Sequence, residues 1–454
     1  MSRGGDWDWR RGTRPHLPAR LYPVARWLIP RYVRRHILAV GTRAVEAFRR
    51  VGTGSVPLVQ CRPLFLPKVF RGGPIVLVNN ALAWGGVERQ VVNTLRGLER
   101  AVDRDIGLLC LRLGGGADYD FYLPALKGFR GFVRNVISHD EALDQLTRCL
   151  GAERLKRAHA TFSWMPADVQ QEIVRFLADF AVVRPEVVHI WQDAASISAG
   201  YAAKLLGVPR ILISSRNVNP THFAYHRPYM RNAYRELAAC PDVIMINNSR
   251  AGADDYSRWL GIDPSRFSVV RNGIDPKEFS RPSTIVTERF RKQLELPRGV
   301  PVVGSIFRFY EEKRPLLWIE AAGKVARRRP DCHFVIFGTG PMAEEMRQAA
   351  ERLGFVDRLH LPGTIRETSV GLSLFDVFVL TSKFEGTPNV VLEASVLGVP
   401  VVVTDAGGTK EAVSVGRTGI VVNYPDATLI AEAILSILDN SEQWENVVAT
   451  GPAF

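Results

Sequence analysis

Cysteine is scarce in this chain, with five residues among 454, at positions 61, 110, 149, 240 and 332, and no Cys-x-x-Cys pair. Isolated thiols of this kind form no disulfide framework, and they fit a reducing compartment. The nine histidines are scattered and show no metal-ligand spacing, so no metal is expected. No apolar run approaches the length needed to span a bilayer. Arginine interrupts every apolar stretch near the amino terminus, which is not the pattern of a secretory signal. No recognised nucleic-acid-binding module is present, so nucleic acid is not an expected partner. Acidic residues are nearly missing from positions 1–70, where three Asp or Glu face fourteen Arg or Lys.

That stretch therefore carries eleven of the thirteen excess positive charges. It also carries Trp7, Trp9, Trp27, Leu28, Ile29, Ile37, Leu38, Val40 and Phe48. From Val24 onward, apolar and arginine positions alternate as in a basic amphipathic helix, with Pro30 as a break or kink. Cations for lipid headgroups beside aromatic and aliphatic groups predict binding to an anionic membrane surface. The other reading is a leader that is disordered or packed, without a membrane role.

Beyond the extension, strands alternate with helices on both sides of a junction near residue 285. This predicts an α/β chain of two doubly wound, Rossmann-like domains facing across a cleft. The expected division is 1–70 for the basic extension, 71–285 for a first Rossmann-like domain and 286–454 for a second. Residues 117–180 show helical spacing and lengthen the first domain, either to shape the acceptor side or to pack.

The most informative segment runs from Phe375 to Gly398. Phe375–Leu380 reads as a buried strand, so Thr381–Gly386 form the loop at its carboxyl end, where open α/β sheets bind ligands. Glu385 then faces the cleft. Thr387 as N-cap, Pro388 at the first helical position and the apolar stretch from Val390 to Leu397, ended by Gly398, outline a helix. Free N–H groups of its first turn, at Asn389 and Val390, suit a diphosphate. Glu393, more than a turn inside, suits a ribose hydroxyl pair.

Upstream, Pro301–Ile306 is a strand leading to Arg308 and Lys313, and then to a helix through Leu316, Ile319 and Ala322. Two fixed cations at a strand end stabilise the negative charge that grows on a departing diphosphate. In the first domain, Pro74–Asn80 is a strand, and Gly85-Gly86-Val87-Glu88-Arg89-Gln90 opens a helix carrying Val91, Leu95 and Leu98. The glycines there allow backbone to approach a phosphate closely. Val269–Asp275 reads as a strand and turn at the domain junction, and Phe334–Phe337 as a strand followed by Gly338-Thr339-Gly340-Pro341. Asp405-Ala406-Gly407-Gly408 closes the strand Val399–Thr404, its glycines serving at least to turn the chain.

With Glu385 and Glu393 separated by seven residues, the whole resembles the E-x7-E signature of the GT4 family of retaining, nucleotide-sugar-dependent glycosyltransferases, which have the GT-B fold. The resemblance spans about residues 72 to 440. It implies an acceptor domain over 71–285, a nucleotide-sugar donor domain over 286–454, and transfer of a sugar from a nucleotide-diphosphate donor, with retention, by front-face attack and without a metal or other cofactor. Arg308 and Lys313 would stabilise the leaving diphosphate, Glu385 would hold sugar hydroxyls and Glu393 the ribose. Gly338, Thr339 and Gly340 would border the nucleotide, and Gly85 and Gly86 would admit the phosphate. The family often places a histidine near the transferred sugar, and here either His189 or the Trp191 position corresponds. Strand alternation predicts that His189, Trp191 and Asp193 share one face, with Asp193 a candidate for orienting or deprotonating the acceptor hydroxyl.

Arg216, in Ser214-Ser215-Arg216-Asn217, is placed to contact an acceptor phosphate or a neighbouring loop. His222, Tyr225 and His226 are candidates to line an acceptor groove. The basic leader points to a lipid-linked or membrane-associated glycan acceptor, as in bacterial surface polysaccharide assembly, and to a cytoplasmic protein held peripherally on the inner face of the cytoplasmic membrane. The alternative is a catalytically silent, glycosyltransferase-like membrane-associated binding protein. Family chains end on a helix that crosses back to the first domain. Here Leu429–Leu438 is helical in pattern and the chain stops at Phe454, so a short or missing crossover is expected.

Overall fold

The computed structural model describes residues 56–274, 279–440 and 444. The basic amphipathic stretch through residue 55 lies outside the described residues, as do 275–278 and nearly all of the tail beyond 440. The membrane-helix and short-crossover expectations fall on those residues.

Two parallel sheets are present, as the alternation of strands and helices predicts. The first has seven strands: β1 (Ile75–Asn79), β2 (Ile106–Cys110), β3 (Phe132–Asn135), β4 (Val187–Trp191), β5 (Arg210–Ser215), β6 (Val243–Asn247) and β7 (Phe267–Val269). Their spatial order is β3-β2-β1-β4-β5-β6-β7. The second has six: β8 (Val302–Ile306), β9 (His333–Phe337), β10 (Leu359–Gly363), β11 (Val377–Leu380), β12 (Val401–Thr404) and β13 (Gly419–Val422), ordered β10-β9-β8-β11-β12-β13. Parallel strands need helical crossovers, so helices cover both faces and the strands read as continuous apolar runs. β8, β11 and β12 are buried at every residue.

Strand order reverses between β1 and β4 in the first sheet and between β8 and β11 in the second. Loops at the carboxyl ends of strands flanking such a reversal diverge and leave a crevice, where ligands of this architecture bind. The glycine loop follows β1 and the His189 strand is β4. Arg308 and Lys313 follow β8, and Glu385 follows β11. Thus the residues singled out by chemistry fall at the two reversal points.

The segment 117–180 packs. It holds the helices His139–Leu150, Ala152–Phe162 and Ala167–Val183. Ser138 starts the first with a reciprocal cap, its hydroxyl accepting from Glu141 N–H while the Glu141 carboxylate accepts from Ser138 N–H. Ile173, Phe176, Leu177 and Phe180 of the third are fully buried in the first domain's core. Each such side chain contributes roughly 1.5–3 kcal/mol. Leu58 and Phe70, read from the sequence as part of the extension, are also buried in that core.

Candidate active site

Hydrogen bonds between the loops after β8 and β11 bring Lys313 and Glu385 together. Lys383 N–H donates to Glu312 O at 2.7 Å, and the Thr381 hydroxyl donates to Lys313 O at 3.0 Å. Across this stitch Lys313 Nζ forms an ion pair with Glu385 Oε1, which also accepts from Ser382 Oγ at 2.7 Å. Glu385 is only 8 % exposed. Arg308 stands apart, more than half exposed, 3.7 Å from Glu312 and over the Tyr310 ring at 5.5 Å.

The helix after Glu385 begins one residue later than its sequence suggests, at Asn389–Val396, with Pro388 as the capping residue. Thr387 does not cap it. Its hydroxyl instead donates to Asn248 O at 2.6 Å, satisfying a carbonyl of the first domain, and the helix start keeps its free N–H groups. Glu393 is 2 % exposed and lies one turn in. Its carboxylate accepts from Thr368 Oγ1 at 2.8 Å and forms an ion pair with Arg89, from the helix Gly86–Ala101 of the first domain. Burial pulls the Arg89 guanidinium below its ordinary value, with Tyr122 opposing that fall.

Gly338, Thr339 and Gly340 bring a second loop to the end of β8. Phe309 N–H donates to Thr339 O at 2.9 Å, and a Cβ on Gly338 would lie 1.9 Å from Phe307 O. Glycine is required there because two backbones touch. At Gly85-Gly86 the crowding differs from the phosphate approach that the sequence implies. A Cβ on Gly85 would meet the Glu88 carboxylate at 2.2 Å, and one on Gly86 would meet Asn389 Nδ2 at 2.9 Å.

In the first domain the strand-alternation reading holds for two residues and fails for the third. His189 and Trp191 lie side by side, ring centroids 4.7 Å apart. β4 then ends, Gln192 turns with φ 66°, and Asp193 opens the helix Asp193–Leu206. Asp193 accordingly leaves that face for a cage of phenols, where Tyr234 and Tyr256 donate to Oδ1 and Tyr225 donates to Oδ2 at 3.0 Å. Burial raises its carboxyl above the ordinary range even though the three phenols oppose this. His189 Nε2 bonds Ser214 Oγ at 2.7 Å, and burial next to Arg216 drops the imidazole to about 3, so it is neutral at physiological pH. His222 stacks on Phe384 at 4.4 Å and pairs with Asp255 at 3.1 Å, while His226 lies by Trp259.

Several side-chain contacts in the cleft, those of Glu88, Asn272 and Glu411 and of the Asn389 side chain, escape the sequence reading. Glu88 is 9 % exposed, accepts from Gln192 Nε2 at 2.7 Å, and is raised by burial, with Gln192 and Arg308 opposing that rise. Asn389 donates to Gly86 O at 2.7 Å, and Asn272 donates to Thr387 O at 2.8 Å and to Asn389 Oδ1 at 2.6 Å. Glu411, from the loop after β12, accepts from the N–H groups of Arg250 and Ala251 at 2.9 and 2.8 Å, capping the helix Arg250–Leu260 across the cleft. These contacts close the two domains on one another. A groove of about 620 Å³ opens beside them, lined by Arg250, Arg271, Lys383, Phe384, Lys410 and Glu411 among others. Among the described residues no group of three or more His, Cys, Asp or Glu is arranged to hold a metal ion. No helix there is long and apolar enough to cross a membrane.

The sequence profile of Glycosyltransferase Family 4 matches residues 84–278, and that of Glycosyl transferases group 1 matches residues 286–453. The chain belongs to the GT4 family of glycosyltransferases. Among its relatives is the Vi polysaccharide biosynthesis protein VipC/TviE of Salmonella typhi, 28% identical over 386 residues, an alignment covering 80% of this chain and 66% of that protein. Another is the Escherichia coli UDP-Gal:alpha-D-GlcNAc-diphosphoundecaprenol alpha-1,3-galactosyltransferase, 28% identical over 267 residues, 56% of this chain and 67% of that enzyme. The chain thus spans about two thirds of the length of these curated relatives. Anabaena HepE, solved in complex with UDP and glucose, superposes with a TM-score of 0.64 at 18% identity, over 83% of this chain and 93% of that one. The superposition carries the fold, and this GT4 chain has the GT-B arrangement of two Rossmann-like domains.

Proposed function

We propose that this GT4 protein transfers a sugar from a nucleotide-diphosphate donor to a hydroxyl of a lipid-linked or membrane-associated glycan, with retention of anomeric configuration, in bacterial surface polysaccharide synthesis. The observation that carries the reading is the pairing of Lys313 with Glu385 beside the free start of the Asn389 helix at one strand reversal, with Arg308 in the same loop as Lys313, facing the glycine loop at the other. Lys313 and Arg308 neutralise charge as the sugar–diphosphate bond breaks. Glu385, held by Lys313 and Ser382, presents its second oxygen to donor sugar hydroxyls. Glu393 takes the ribose after exchanging Arg89 for it. Asn389 and Val390 N–H groups hold the diphosphate. His189, uncharged, offers shape and a hydrogen bond, while Asp193 orders Tyr225 at the acceptor side.

The acceptor class is supported by the relatives, one a polysaccharide biosynthesis protein and one an enzyme whose named acceptor is diphosphoundecaprenol-linked. The basic, tryptophan-bearing first seventy residues suit peripheral attachment to the inner face of an anionic membrane.

The test is release of nucleoside diphosphate from UDP-, GDP- and ADP-sugars by the purified chain, with membrane lipid extract as acceptor source. One donor is consumed, and Lys313→Ala and Glu385→Ala each lower the rate by roughly 100-fold or more, in line with removal of a transition-state contact. Turnover unchanged in both variants would overturn the assignment.

A further inference from the structure

At the carboxyl ends of β4 and β5, Arg216 is a half-buried cation without a charged partner. Its guanidinium lies over the Trp191 ring at 4.5 Å and donates to Asn272 Oδ1, a neutral acceptor. No described carboxylate forms an ion pair with it. A desolvated guanidinium with five donors is poorly served by one amide. Burial pulls this group down to about 9, against an ordinary 12.5, which is the strain an anion would relieve.

A second observation points the same way. Trp191 is 3 % exposed and its Nε1–H has no acceptor among the described residues. The Ser215 hydroxyl, 1 % exposed and adjacent to Arg216 in the chain, is likewise without a partner. Buried donors of this kind are rarely left unpaired, and here they collect at one end of two neighbouring strands. The spot adjoins the Glu385 loop, since a Cβ on Gly386 would lie 2.7 Å from Arg216 O.

We propose that Arg216, with the Trp191 indole N–H, forms an anion subsite on the first domain's side of the cleft and binds a phosphate-ester oxygen. The proposal rests on reading this cleft as the seat of sugar transfer. The shared chemistry has two sources, the sugar-proximal phosphate of the donor or a phosphate of the acceptor. Charge-assisted, two-point binding by guanidinium and indole makes Arg216 a specificity-determining residue for an anionic partner.

The test is calorimetric titration of the full-length chain with inorganic pyrophosphate, inorganic phosphate and whichever of UDP, GDP and ADP it binds. The wild type is compared with Arg216→Gln, Arg216→Lys and Trp191→Phe, all checked for unchanged melting temperature. Pyrophosphate or phosphate affinity falls at least tenfold in Arg216→Gln and severalfold in Trp191→Phe, which keeps the ring but loses the donor, and Arg216→Lys, which keeps the charge but not the planar fork, falls less than Arg216→Gln. If the donor is the source, nucleoside diphosphate affinity falls in parallel. If the acceptor is the source, phosphate still binds the nucleotide-saturated wild type, and only that binding disappears in Arg216→Gln. Anion binding equal in wild type and Arg216→Gln, or absent from the wild type, overturns the subsite. Arg216-dependent anion binding without any nucleotide binding would leave the subsite standing and defeat the donor reading instead.

Discussion

At the scale of single residues, the site is governed by which buried charges have partners. Glu385 has Lys313 and Glu393 has Arg89, so each carboxylate of the E-x7-E pair is matched by a cation in the cleft. His189 has no carboxylate, and its imidazole sits at about 3 against 6.5 for a free group. Between those two values the unfolded chain binds more protons than the folded one, so stability is full above pH 6.5 and is lost as pH falls towards 3. Replacing His189 with Gln, which keeps a donor for Ser214, should shrink the drop in melting temperature between pH 7 and pH 4.5 measured by differential scanning fluorimetry. An unchanged drop would mean that another group carries the acid sensitivity. The position of the glutamates and the two cations in loops at strand ends was legible from residue type and spacing, because strand ends in parallel sheets are where such loops gather. Arg89 was not, since its importance comes from a partner 304 positions away. Nor was the phenol cage, because the three tyrosines that claim Asp193 come from separate segments.

At the scale of elements, the domains meet through caps and close backbone approaches. Glu411 supplies a carboxylate to the start of the Arg250–Leu260 helix, an arrangement worth roughly 1 kcal/mol, up to about 2 in a partly buried geometry. Glu411→Gln should lower stability by about that amount in urea denaturation and weaken donor binding a few-fold by loosening closure. Gly386 is tighter still, because an added methyl would lie 2.2 Å from Asn248 Oδ1. Gly386→Ala should lower stability by about 1–3 kcal/mol, and unchanged urea midpoints would show that the loop yields without penalty. Strand periodicity and turn chemistry gave the elements nearly in place. The start of the Asn389 helix moved by one residue because Thr387 spends its hydroxyl on the other domain rather than on its own helix. Contacts between domains leave no periodic trace in sequence, so the caps and the Asn272–Asn389 bridge emerge only from the assembled chain.

For the molecule as a whole, two parallel sheets with one strand reversal each set two ligand-binding edges against one another. The two domains are held together by pairs such as Arg89–Glu393. Under the proposed function, nucleotide binding is tied to exchange of Glu393 from arginine to ribose. That exchange should register as a donor-dependent change in compactness by small-angle scattering, and identical profiles with and without saturating donor would contradict it. The most direct measurement is calorimetric titration of UDP, GDP and ADP against the wild type and Glu393→Gln, a variant that preserves volume and a hydrogen bond to Thr368. Micromolar binding of one nucleotide to the wild type and at least tenfold weaker binding to the variant are expected. Equal affinities in the two proteins, or no binding of any of the three to the wild type, would contradict the assignment of this cleft as a nucleotide-sugar site.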